Sequence, residues 1–122
     1  MEDARRLISL IVPCYNEQEA LPLFYQAAAR QMDALPGYRF ELIFVDDGSR
    51  DQTLSLLKAY AGKDERVHYL SFSRNFGKES AMYAGLVNAL GDYVAILDAD
   101  LQDPPALLPQ MLDAIEREGY DS

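Results

Sequence analysis

Four short apolar runs constrain the fold of this chain more than any other feature. Leu7–Val12, Phe40–Val45, Val67–Phe72 and Tyr93–Leu97 are strand-length and rich in β-branched or aromatic residues, and each gives way at once to polar or turn-forming residues. Near-continuous apolarity marks strands buried on both faces, as in a parallel sheet. Helical patterns fill the gaps. The first runs from Glu17 to Ala34, with Asn16 as N-cap and Glu19 at the capping-box spacing; Pro22 either bends it or moves its start. The second runs from Arg50 to Gly62, with Ser49 and Gln52 in the same relation, and the third from Gly77 to Leu90. A fourth opens on Asp103 as cap with Pro104 at its first position, and ends near Gly119. Strand and helix thus alternate four times, which predicts right-handed βαβ units in an open, doubly wound, Rossmann-like α/β sheet.

One hundred and twenty-two residues, 49% hydrophobic and 25% charged, make one domain's worth of globular sequence. No apolar stretch is long enough to span a bilayer, and Leu7–Val12 runs into Pro13 without a signal-peptide cleavage pattern. The single cysteine, Cys14, excludes an internal disulfide and suits a reducing compartment. A net charge of −9 argues against nucleic acid as a partner and against this segment gripping an anionic membrane, while leaving room for a bound cation.

In an open α/β sheet, ligands bind at the carboxyl ends of the strands. Those ends read Pro13-Cys-Tyr-Asn-Glu17, Asp46-Asp-Gly-Ser-Arg-Asp51, Ser73-Arg-Asn-Phe-Gly-Lys78 and Asp98-Ala-Asp-Leu-Gln-Asp103. Polar chemistry collects at all four.

Asp98-Ala-Asp100 is the strongest local signal. Residues two apart in extended chain point to one side, so both carboxylates can face one point. No Lys or Arg occurs from Glu79 through Glu116 to neutralise them. Two close carboxylates require a shared proton or an intervening cation, and hard oxygens, with the Gln102 amide as a third donor, suit Mg²⁺ or Mn²⁺. The plainer alternative is that the aspartates cap a turn and the next helix. Asp46-Asp47-Gly-Ser can be a turn, but one aspartate suffices for that; the other is free to accept hydrogen bonds from a ribose or base. Arg74 and Lys78 flank Gly77 at a helix start, which makes either a pyrophosphate site or a solvated pair. Tyr15 stacks on a nucleobase or packs beside Pro13. His68 lies within a strand and reads as structural, and Cys14 has no partner for nucleophilic catalysis.

Taken in order, Val12–Glu17, Val45–Asp51, Ser73–Lys78 and Leu97–Pro105 resemble the family 2 glycosyltransferases of GT-A fold, and among them the dolichol-phosphate mannose synthase-like enzymes that include bacterial polyprenyl-phosphate glycosyltransferases. The similarity covers nearly the whole chain. It implies a nucleotide-sugar donor, GDP-mannose or UDP-glucose in most members, and a polyprenyl-phosphate or dolichyl-phosphate acceptor at the cytoplasmic membrane face. By position, it implies that Pro13, Tyr15, Asn16 and Glu17 line the nucleotide pocket and that Asp46 or Asp47 reaches base or ribose. Arg74, Asn75 and Lys78 then lie beside the donor. Asp98, Asp100 and Gln102 hold the metal, with Asp98 and Asp100 as the catalytic pair in an inverting displacement. The family's acceptor-binding arginines and later helices fall beyond Ser122. The expectation is therefore a truncated sheet carrying the donor half, weak in nucleotide binding, inactive in transfer alone and prone to homo-oligomerise through its open edge. The rivals are a non-catalytic nucleotide-sugar-binding module, a nucleotidyltransferase and an interaction domain. The second needs a Gly/Lys-rich phosphate loop after the first strand, which Pro13–Glu17 is not.

Overall fold

The structure, a computed structural model, describes residues 4–99, 108–110 and 112–113. The element order is β1 (Arg6–Cys14), α1 (Leu21–Asp33), β2 (Tyr38–Asp46), α2 (Thr53–Lys63), β3 (Val67–Ser71), α3 (Lys78–Asn88) and β4 (Tyr93–Ile96). The strands form a sheet in the order β3-β2-β1-β4, and every pairing is parallel. All four expected strands are present. β1 and β2 hold the centre and are almost wholly buried, which explains their unbroken apolar runs; β3 and β4 flank them and are more exposed.

Each face of the sheet has its own core. Ile8, Leu10, Val12, Leu42 and Phe44 point one way and pack with Leu21, Phe24 and Ala28 of α1 and Leu57 and Tyr60 of α2. Leu108 and Leu112, four apart in helical chain, join the same cluster. On the other face, Ile43 and Val45 pack with Ala81 of α3. Gly85 lets α3 lie flat on β1, because a Cβ there would meet Ile11 Cγ2 at 2.4 Å. Helices on both faces complete the doubly wound arrangement. Glu41 is the one charge inside the β2 run. Buried, it accepts hydrogen bonds from the Ser9 hydroxyl and the Leu90 N–H, and so pins the turn from α3 into β4.

Two helix starts lie several residues from where the sequence pattern puts them. α1 begins at Leu21 rather than Glu17, with Pro22 in its first turn and no side-chain cap. Proline lacks the N–H that an interior position needs, so it sets the start of this helix. Asn16 is not the N-cap: it adopts a left-handed φ of 52°, and a turn on the Glu17 carbonyl separates it from the helix. α2 begins at Thr53 rather than Arg50, and Ser49 does not cap it. The hydroxyl of Ser49 is taken by the N–H of Asn16 at 2.8 Å. α3 is shorter than expected by one residue at its start and two at its end. The fourth helix's expected boundaries, Asp103–Pro104 and Gly119, lie outside the described residues. Among the described residues no helix is long and apolar enough to cross a membrane.

Candidate active site

β1 is the switch point of the sheet: β2 lies on one side of it and β4 on the other. A ligand crevice is expected there, beyond the strands' carboxyl ends. A cleft of about 190 Å³ opens at that place, lined by Pro13, Cys14, Tyr15, Glu17, Asp47, Lys78, Asp98 and Ala99. A second cleft of about 260 Å³ lies on the β2–β3 side, with Asp46, Gly48, Ser49, Ser73, Arg74 and Asn75 in its walls. Tyr15, 43% exposed, borders both.

The walls are held by side chains that accept hydrogen bonds from backbone. Asp46 Oδ1 receives the Ser49 N–H at 3.1 Å, closing the Asp-Asp-Gly-Ser turn. Asp47 reaches into the next loop, where Oδ1 receives the Phe76 N–H at 2.8 Å and Oδ2 the Gly77 N–H at 3.1 Å. Gly48 makes that approach possible. With φ at 75°, it sits so close to the Arg74–Asn75 peptide that a Cβ would lie 2.3 Å from the Arg74 carbonyl carbon. Both aspartates therefore have structural partners, where the sequence pattern left one without such work.

A second set of bonds clasps the β1 and β2 loops together. Asn16 Oδ1 receives the Arg50 N–H, the Thr53 hydroxyl receives the Glu17 N–H, and Asp51 receives the Thr53 hydroxyl and the N–H groups of Thr53 and Gln18. Burial works against the charge of Asp51, but these bonds from Thr53 and Gln18 outweigh it and hold its carboxyl below the usual range. Asn16 therefore ties the loops together and lines neither cleft. Pattern reading missed Gly48, Asp51 and Thr53, because each had an adequate local explanation as a turn former or helix-start residue.

Lys78, the first residue of α3, places its ammonium 2.7 Å from Asp98 Oδ1. The Arg74 guanidinium instead lies 4.6 Å over the Phe76 ring, which packs edge-on against Phe72. Cys14 is buried, and burial, then the Glu17 and Asp46 carboxylates, push its thiol far up, so it is not a nucleophile here. His68 is exposed on β3 and lines neither cleft. Of the residues expected at the site, Pro13, Tyr15, Glu17, Asp47, Lys78 and Asp98 converge on the first cleft, and Tyr15, Asp46, Arg74 and Asn75 on the second. Asp100 and Gln102 lie outside the described residues. Among the described residues, no three His, Cys, Asp or Glu side chains gather closely enough to hold a metal ion.

Helices on both faces of a parallel sheet, with polar loops converging where its order reverses, make a doubly wound α/β fold, and its solved structural neighbours make it a GT-A glycosyltransferase fold. The family model for glycosyl transferase family 2 matches residues 9–122, and the chain belongs to that family. It is 47% identical over 106 residues to a prophage bactoprenol glucosyl transferase homolog of Escherichia coli, covering 87% of this chain and 34% of that protein. It is 38% identical over 116 residues to an undecaprenyl-phosphate 4-deoxy-4-formamido-L-arabinose transferase of Shewanella sediminis, covering 94% of this chain and again 34% of the relative. The chain thus spans about a third of the length of these relatives. A solved mannosyltransferase of Pyrobaculum calidifontis, in complex with GDP-Man and Mn²⁺, superposes with a TM-score of 0.77 at 25% identity, over 91% of this chain and 32% of that one.

Proposed function

We propose that this chain carries the donor-binding part of a metal-dependent, inverting glycosyltransferase that moves a hexose from a UDP- or GDP-sugar to a polyprenyl or dolichyl phosphate at the cytoplasmic face of a membrane. The observation that carries this reading is the convergence of the β1, β2, α3 and β4 loops on one cleft, with the Asp98 carboxylate open to it and already drawing a cation to 2.7 Å. The relatives' names, a bactoprenol glucosyl transferase homolog and an undecaprenyl-phosphate sugar transferase among them, support the lipid-phosphate acceptor.

The donor set suits a divalent ion. Asp98 offers hard oxygen on the cleft, and Asp100 and Gln102 follow in sequence with more of it, so these three would hold Mg²⁺ or Mn²⁺. Such an ion stabilises negative charge on a departing nucleoside diphosphate. The chain's own residues do the rest. Tyr15, between the clefts, offers its ring to the base. Asp46, with Arg74 and Asn75, frames the second cleft for base and ribose, and Pro13 and Glu17 wall the first. Asp47 holds the Phe76–Gly77 peptides in place, which aims the amino end of α3 and Lys78 at the diphosphate. A phosphate acceptor arrives already anionic, so the site has no need of a general base. On this reading the chain by itself binds donor without turning it over.

Calorimetric titration of UDP, GDP, UDP-glucose and GDP-mannose, with and without Mn²⁺, tests the reading on this chain and on the Asp98→Ala, Asp100→Ala variant. The expected result is metal-dependent binding of one nucleotide series, lost in the variant. A folded chain that binds none of the four under either condition refutes it.

A further inference from the structure

The Lys78–Asp98 pair points beyond a simple donor contact. Among the described residues, the first cleft is lined by three carboxylates, Glu17, Asp47 and Asp98, and by one ammonium, that of Lys78. The next Lys or Arg after Lys78 in the sequence is Arg117, so the β4 loop brings no cation of its own. The root of Lys78 is fixed, because the two preceding N–H groups, those of Phe76 and Gly77, are bound by Asp47. Its side chain is 60% exposed, against 33% for Asp98. A lysine of this kind is a point charge on a flexible stem, able to change partners while its backbone stays still.

Any metal bonded to Asp98 Oδ1 needs lone pairs on the oxygen that now receives the ammonium. We propose that Lys78 is a placeholder cation: it neutralises Asp98 in the donor-free site, competes there with the divalent ion, and transfers to the donor's diphosphate when donor and metal enter together. The inference rests on the donor-site reading above and adds its regulation. Nucleotide gives the displaced ammonium a new anionic partner beside the amino end of α3, so nucleotide and metal strengthen each other's binding. Bare metal, by contrast, must displace Lys78 without that compensation, and the site resists charging before donor arrives.

A lysine that only grips phosphate and one that also holds the metal's place differ in one sign. Mn²⁺ binding is read by electron paramagnetic resonance of the free ion, without nucleotide and then with UDP or GDP, on the chain and on Lys78→Met and Lys78→Gln. With no nucleotide present, both variants are expected to bind Mn²⁺ about threefold more tightly than the parent, the scale of a partly exposed ion pair. The added strengthening by nucleotide is expected to shrink in both. Variants that bind Mn²⁺ alone no more tightly than the parent overturn the placeholder role. If the parent still shows metal-dependent nucleotide binding in that case, the donor-site reading survives without it. If Asp98→Ala leaves Mn²⁺ binding unchanged, Asp98 is not the ligand and both fall.

Discussion

Replacing Asp47 by Asn isolates the part of the site that local sequence pattern did not show. Asp47 is 4% exposed, and its two oxygens each receive a backbone N–H from the α3 loop, at 2.8 and 3.1 Å. Asparagine keeps the shape and one acceptor but turns the other oxygen into an NH₂ group that faces an N–H. One charge-assisted bond is lost outright, and one partly buried donor is left without a partner. Bonds to charged groups contribute about 1.5–3 kcal/mol each, so a destabilisation of about 2–3 kcal/mol follows. With a urea slope near 2 kcal/mol per molar, the unfolding midpoint falls by about 1–1.5 M.

Asp46→Asn is the internal control. Asp46 is as deeply buried, yet among the described residues its side chain accepts one N–H, that of Ser49 at Oδ1, which an asparagine oxygen can keep. Its cost should stay below about 1 kcal/mol. Urea titrations of both variants, followed by nucleotide titration of the folded fraction, give the comparison. Asp47→Asn should also weaken nucleotide binding, because Lys78 and Arg74 hang from the loop it frees. A midpoint for Asp47→Asn within experimental error of the parent, or equal losses in the two variants, refutes the clamp.

Two further outcomes follow from the same packing. Gly48→Ala places a methyl against the Arg74–Asn75 backbone at a residue whose φ is 75°, so thermal unfolding should show at least the left-handed strain of about 1–2 kcal/mol, with the second cleft's nucleotide affinity reduced; a parent-like melting temperature and affinity would contradict the close approach. At the opposite end of the sheet, the Arg66 side chain, against burial and with help from the Tyr25 hydroxyl, holds the Asp64 carboxyl down to about 2. Because this folded value lies below the unfolded one near 3.9, the stabilisation is complete above about pH 4 and lost as pH falls towards 2. Urea midpoints measured from pH 5 down to 2 should therefore drop less steeply in Asp64→Asn than in the parent, and parallel curves would remove Asp64 from the account.

The sheet was legible because burial leaves a simple mark. β1 and β2 are covered on both faces, so their apolar runs are unbroken, and each strand's carboxyl end shows as the point where that run turns polar. Helix starts were less legible because the same residue types serve two purposes. Asn16 and Ser49 have the composition of N-caps, yet each bonds across to the other loop, at separations of 34 and 33 residues. A capping pattern counts neighbours three positions away and is blind to a partner brought alongside by the sheet. Pro22 was the local signal that did hold, since its missing N–H restricts it to a first turn whatever lies nearby.

The same blindness explains the split of labour between Asp46 and Asp47. Turn chemistry accounts for one aspartate, and the one it accounts for is Asp46. What Asp47 does depends on the Phe76–Gly77 peptides arriving beside β2, which needs both the β3–α3 connection and a residue at 48 without a side chain. The loops that line the clefts are thus fixed largely through acidic side chains bound to backbone N–H groups, an arrangement that spends negative charge on architecture and leaves Lys78 to face Asp98. It follows that substitutions at Asp51 or Thr53, which line neither cleft, should alter ligand affinity through the Asn16–Glu17 backbone they hold, and should do so in proportion to the loss of loop order rather than to any change in charge at the cleft.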